Sequence, residues 1–157
     1  WSVHFDPQWG GPSSVVFDKL MDWTKRPEAG IRHYSGTATY QKRFDLPAIT
    51  ANRRAYIDLG AVASMARVRL NGRELGTVWC APWRVEITGA MRATDNQLEI
   101  EVVNTWANRL IADSGLPEGE RLTVVAEDMR PKADSPLMAA GLLGPVRLML
   151  VDNDLKQ

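Results

Sequence analysis

Apolar and polar residues alternate along much of this chain with the two-residue period of a β-strand rather than the period of a helix. In residues 36–46, Ala38, Tyr40, Phe44 and Leu46 fall on one face, opposite Thr37, Thr39, Gln41, Arg43 and Asp45. Residues 54–59 turn Ala55, Ile57 and Leu59 inward. Ala66, Val68 and Leu70 alternate with Arg67 and Arg69 up to Asn71-Gly72, a pair that supplies the positive φ angles of a tight type I′ hairpin. Further strands are predicted over residues 2–6, 85–87, 98–102, 121–126 and 146–151.

Helix enters this picture only briefly. Residues 18–23 predict a short helical segment within an irregular stretch, and residues 107–112 a second one. Residues 88–91 read as a one-turn connection, and residues 129–145 as a loop punctuated by Pro and Gly. About seven to nine short strands, without a long amphipathic helix, indicate an all-β sandwich or barrel. No repeat of fixed period points to a propeller or solenoid. The expectation is a single domain over residues 1–152 with a tail at 153–157.

Composition narrows the function classes. Nineteen basic and nineteen acidic residues cancel, whereas nucleic-acid binding normally shows a basic excess, so that class is set aside. No apolar run reaches the roughly 20 residues of a membrane span, so no membrane insertion is expected. Cys80 is the one cysteine. It excludes an internal disulfide and a thiolate metal cage, and it reads as a small buried hydrophobe. The chain opens at Trp1 in strand-like sequence, with no initiating Met, basic n-region or apolar h-region. It is read as a piece of a longer protein.

Catalysis is not expected of the chain alone. General acid–base work by paired carboxylates needs two such groups held close together across a cleft. Asp22, Glu28, Asp113, Glu118, Glu127 and Asp128 lie in predicted loops, and Glu86, Glu99 and Glu101 on outward strand faces. None is set apart by spacing or neighbours, and all read as solvated surface charge. His4 and His33 lack zinc-ligand spacing.

The run Tyr34-Ser35-Gly36-Thr37-Ala38-Thr39-Tyr40 with Phe44 resembles the opening strand of the sugar-binding domain of glycoside hydrolase family 2. Val68-Arg69-Leu70-Asn71-Gly72 through Leu75-Gly76, then Pro82, Val85-Glu86-Ile87-Thr88 and Asn96-Gln97-Leu98-Glu99-Ile100, resemble its later strands. Asn104-Thr105-Trp106-Ala107-Asn108-Arg109-Leu110-Ile111 and the stretch from Ser135-Pro136-Leu137 to Gly144-Pro145-Val146 are similar to a sandwich near the C-terminus of bacterial α-L-rhamnosidase-like enzymes, glycoside hydrolase family 106 and its relatives. The resemblance covers residues 1–151. It implies an all-β jelly-roll β-sandwich of galactose-binding-domain-like type and a non-catalytic, carbohydrate-binding or supporting module of an exported glycoside hydrolase. Its implied partners are a carbohydrate, with a rhamnose-containing glycan as one candidate, and the catalytic domain of the parent chain. It allows calcium, although no ligands can be assigned. The catalytic barrel, which takes about 250 residues, is missing from this chain.

A sugar site wants aromatic rings for stacking and planar polar groups for paired hydrogen bonds. Among six tryptophans, Trp79 and Trp83 flank Cys80-Ala81-Pro82, and Trp106 lies between Asn104 and Asn108-Arg109. These six residues (Trp79, Trp83, Asn104, Trp106, Asn108 and Arg109) are the candidate ligand contacts. Other readings stay open beside this one. The tryptophans serve equally as core lids or inter-domain contacts, Asn104 as a cap of the following turn, and Arg109 as a partner of Asp113 one helical turn on. A purely structural packing module is therefore the alternative function.

Overall fold

The computed structural model describes residues 1–46 and 53–152, so the expected tail at 153–157 lies outside the described residues. In chain order the strands are β1 (Ser2–His4), β2 (Val15–Val16), β3 (Thr37–Phe44), β4 (Arg53–Asp58), β5 (Val62–Ala63) and β6 (Met65–Leu70). Then come β7 (Arg73–Val78), β8 (Arg84–Glu86), β9 (Asn96–Val103), β10 (Gly141–Leu142) and β11 (Arg147–Asp152). Among the described residues, two α-helices, α1 (Ala29–Arg32) and α2 (Ala107–Ser114), sit in the connections.

The strands pair antiparallel throughout. A six-stranded sheet runs β2-β1-β3-β9-β6-β7, and it faces a three-stranded sheet β11-β4-β8 and a two-stranded one β10-β5. The period-2 pattern explains the layering, because each strand has one apolar face to bury. Ala38, Tyr40, Ala66, Val68, Leu70, Leu98, Ile100 and Val102 from the large sheet meet Ala55, Ile57 and Val85 from the small one and Ile87 just after β8, and all are buried. Each large apolar side chain removed from water in this way contributes about 1.5–3 kcal/mol. The result is the expected all-β sandwich.

The hairpin at Asn71-Gly72 forms as its sequence demands, with φ of 54° and 79°. Asn71 has a second job. Its amide donates to Ala90 O at 2.8 Å and Asn96 Oδ1 at 3.1 Å, and accepts from Gln97 N at 2.9 Å. The turn is thereby tied to the buried Asn96 at the start of β9.

Several expectations need correction. Residues 18–23 are not helical; one 3₁₀ turn starts at Trp23, where Asp22 accepts from Thr24 N. Residues 121–126 form no sheet pairing, although their sequence is strand-like. Cys80 is exposed rather than buried, because the turn after β7 carries it away from the inner faces. The second helix is longer than expected, reaching Ser114, and the loop after Met129 contributes β10 to the core.

Candidate functional site

The register of the large sheet gathers the candidate aromatics at one end. Thr37 pairs with Val103, Val103 with Met65, and Ala66 with Val78. Asn104 and Trp106 therefore leave the sheet at the same rim as Trp79. Only β6 separates β9 from β7, which puts the two exits about 10 Å apart at the usual strand spacing. Trp83 closes the same β7–β8 connection, and its carbonyl accepts from Leu59 N at 2.7 Å.

The aromatic members of the site differ in access. Trp79 is 73% exposed and Trp106 49% exposed, whereas Trp83 is half-buried and packs on the core. Trp106 meets a partner that the sequence did not single out as a contact: Trp9 lies edge-on to it, with ring centroids 4.9 Å apart and planes at 77°. Trp9 sits on a 3₁₀ turn capped by Asp6, whose side chain accepts from Gln8 N at 2.9 Å. The Asp6-Pro7 pair, a turn starter, was the available signal in the sequence.

The polar members are engaged inside the fold. Asn104 accepts from Gly36 N at 2.9 Å and donates to Tyr34 O at 2.8 Å. It does not cap α2, which begins after Trp106 with no side-chain cap. Asn108 is buried and makes a reciprocal pair with the Met138 backbone, donating at 2.7 Å and accepting at 2.8 Å. These two amides have both their oxygen and nitrogen occupied. Arg109 is buried too, and donates to Trp9 O at 2.8 Å. Burial pushes the Arg109 guanidinium below its ordinary value, opposed by the Asp113 carboxylate.

Asp113 departs most from its sequence reading. It was expected at the surface, yet its side chain is fully buried, with Oδ1 3.9 Å from Arg109. Its other oxygen accepts from both Thr123 N at 2.8 Å and Thr123 Oγ1 at 2.6 Å. Arg109 and Asp113, one turn apart on α2, thus hold two separate segments: the Trp9 turn and the 121–126 segment. Between these segments runs a groove of about 400 Å³ lined by Trp9, Trp106, Leu110, Leu122 and Val124. No charged side chain lines it.

Other features of the molecule are less suited to chemistry. A cavity of about 530 Å³ lies beside Trp1, Phe44, Leu98 and Leu148, with Lys42 and Arg147 among its lining. Glu86, Glu99 and Glu101 are occupied by Arg54, Arg67 and Arg69. Calcium wants about six to eight oxygen ligands, and among the described residues no three His, Cys, Asp or Glu side chains converge as metal ligands. No helix among the described residues is long and apolar enough to cross a membrane.

Comparison with known proteins agrees with the geometry. A family described as glycosyl hydrolase 2 galactose-binding domain-like matches residues 16–133. A Formosa agariphila protein named as a putative beta-glucuronidase is 35% identical over 99% of this chain. The structure of a rhamnosidase from Novosphingobium sp. PP1Y superimposes with a TM-score of 0.89 and 39% identity over 96% of this chain. A Ruminococcus gnavus beta-glucuronidase shares the fold over 66% of this chain, with a TM-score of 0.55 and 22% identity, and the match spans 20% of that enzyme. The chain spans only 16% of the Formosa protein and 14% of the rhamnosidase chain. By sequence match and by fold, it belongs to the glycosyl hydrolase 2 galactose-binding domain-like family.

Proposed function

We propose that this domain is a non-catalytic supporting module of a bacterial glycoside hydrolase, and that it meets the rest of its parent chain through the Trp9–Trp106 rim. One observation carries the reading: Asn104 and Asn108 spend both ends of their amides on Gly36, Tyr34 and Met138, and the Arg109 guanidinium is buried and donates to Trp9 O rather than outward. What the rim offers outward is therefore mainly apolar, with Trp106, Leu122 and Val124 exposed. A pyranose needs hydrogen-bond partners for its hydroxyls as well as a ring to stack on. The apolar rim suits a protein neighbour better. In this reading Asn104, Asn108 and Arg109 are positioning residues, and Trp83 supports the loop that carries Trp79.

A second reading, a sugar contact by stacking, is favoured by the exposure of Trp79 at the end of β7. Calorimetric titration of the folded domain with rhamnose-containing oligosaccharides, and separately with glucuronides, tests the choice. Flat titrations are expected, together with loss of stability of the parent enzyme when the rim residue Trp106 is replaced by Ala. Saturable heat that disappears in Trp79→Ala would move the function to sugar binding.

A further inference from the structure

The groove beside Trp9 and Trp106 ends on a stretch of backbone that lacks a partner. Residues 121–126 read Arg-Leu-Thr-Val-Val-Ala, and their exposure alternates: Leu122 and Val124 face outward, Thr123 and Val125 are half-buried. This is the surface pattern of a strand. Among the described residues, Thr123 N is the one backbone N–H of residues 122–126 that donates a hydrogen bond, and the carbonyls of residues 122–125 accept none.

Two further facts distinguish it from an ordinary solvated loop. Asp113 grips Thr123 through both its N–H and its hydroxyl, which anchors the segment to α2. Successive N–H groups of an extended chain point to opposite sides, so with Thr123 N–H held by Asp113 an extended course through this segment would turn the N–H groups of Leu122 and Val124 away from α2. The outward side chains there are apolar, with Leu122 at 42% exposure and Val124 fully exposed. A segment with strand-like alternation, main-chain groups without protein partners and outward apolar side chains is a template for an added strand.

We infer that residues 121–126 receive an extended segment from the remainder of the parent polypeptide. The added strand makes main-chain hydrogen bonds along this edge and places an apolar side chain in the groove between Trp9, Trp106 and Leu122. The occupant follows from two observations. The groove has no charged lining to favour an acidic or basic partner, and the relatives carry most of their chain outside the portion matched here. The inference rests on the supporting-module reading only for the source of the strand.

Hydrogen exchange in the full-length parent chain, compared with the 157-residue chain, tests it. The amides of Leu122, Val124 and Ala126 are expected to exchange at least about tenfold more slowly in the parent, as paired backbone does. In the parent, Val124→Pro, which removes a donor, and Val124→Asp, which places a charge on the apolar face, are expected to abolish that protection. The β9 amides of Leu98, Ile100 and Val102 serve as the internal measure of folding and are expected to stay protected throughout. Equal exchange at residues 122–126 in both chains, with β9 protected, overturns the inference. So does protection that rises with concentration of the 157-residue chain, which assigns the edge to a second copy. Hydrolysis of aryl glycosides by the parent is scored separately: its absence defeats the supporting-module reading and leaves the exchange result intact.

Discussion

The indole N–H of Trp23 donates to the phenolic oxygen of Tyr40 at 2.6 Å, and both side chains are completely buried. The same oxygen accepts from Leu142 N at 3.3 Å. One hydroxyl thus joins the 3₁₀ turn at Trp23, the middle of β3 and the two-residue strand β10. Phe5 and Tyr34 pack edge-on against the same indole. Removing the hydroxyl in Tyr40→Phe leaves two buried donors without an acceptor. The expected cost is about 1–3 kcal/mol, read as a lower urea midpoint with an unchanged slope.

The same residue makes stability depend on alkaline pH. Burial pushes the Tyr40 phenol up to about 12 from its ordinary 10.0, partly offset by its bonds from Leu142 and Trp23. The folded state therefore holds this proton more tightly than the unfolded chain. Its contribution is fully present below the unfolded value and is lost as pH rises through the folded one. Urea midpoints are expected to fall progressively between those two values. Tyr34, whose phenol is also raised by burial, adds loss of the same sign, so Tyr40→Phe should reduce the decline without removing it. A midpoint unchanged across this window would falsify the linkage.

Gly141 lies against the Trp23 ring. A Cβ there would stand 2.4 Å from Nε1, and the residue has φ of +100°. Only glycine takes that backbone conformation without strain, and the space is already filled by the indole. Gly141→Ala is expected to cost more than about 3 kcal/mol, with loss of the near-ultraviolet circular dichroism of Trp23. Retention of the wild-type spectrum and midpoint would show that β10 can move aside freely.

Asn108 and Trp79 should respond in opposite ways. Asn108→Ala leaves the Met138 N–H and C=O without their partners, for an expected loss of about 1–3 kcal/mol by urea denaturation. Trp79→Ala removes an exposed ring and should leave stability within about 0.5 kcal/mol. Acrylamide quenching gives the second readout. The readily quenched share of indole fluorescence should fall in Trp79→Ala and stay nearly unchanged in Asn108→Ala.

Much of the sandwich was legible along the chain. Ala38 and Tyr40, Val68 and Leu70, and Leu98 through Val102 each showed which face would be buried, because a strand's side chains alternate with a fixed period. Asn71-Gly72 specified its own turn for an equally local reason. The candidate aromatics were legible only as a supply of rings. Trp79 and Trp106 look alike in sequence, but register across β9, β6 and β7 places both on one rim and gives Trp106 its neighbour Trp9.

Strand faces, the hairpin and the all-β class follow from the order of residues along the chain, since each depends on spacing within a few positions. Tertiary structure alone decided what the polar residues do. Asn108 finds its partner 30 residues away and Arg109 finds Trp9 across 100 residues, and no local pattern encodes such pairings. The unpaired state of residues 121–126 was decided the same way. Strand propensity is a property of the segment, whereas pairing needs a second edge, and the folded domain holds Thr123 against Asp113 instead.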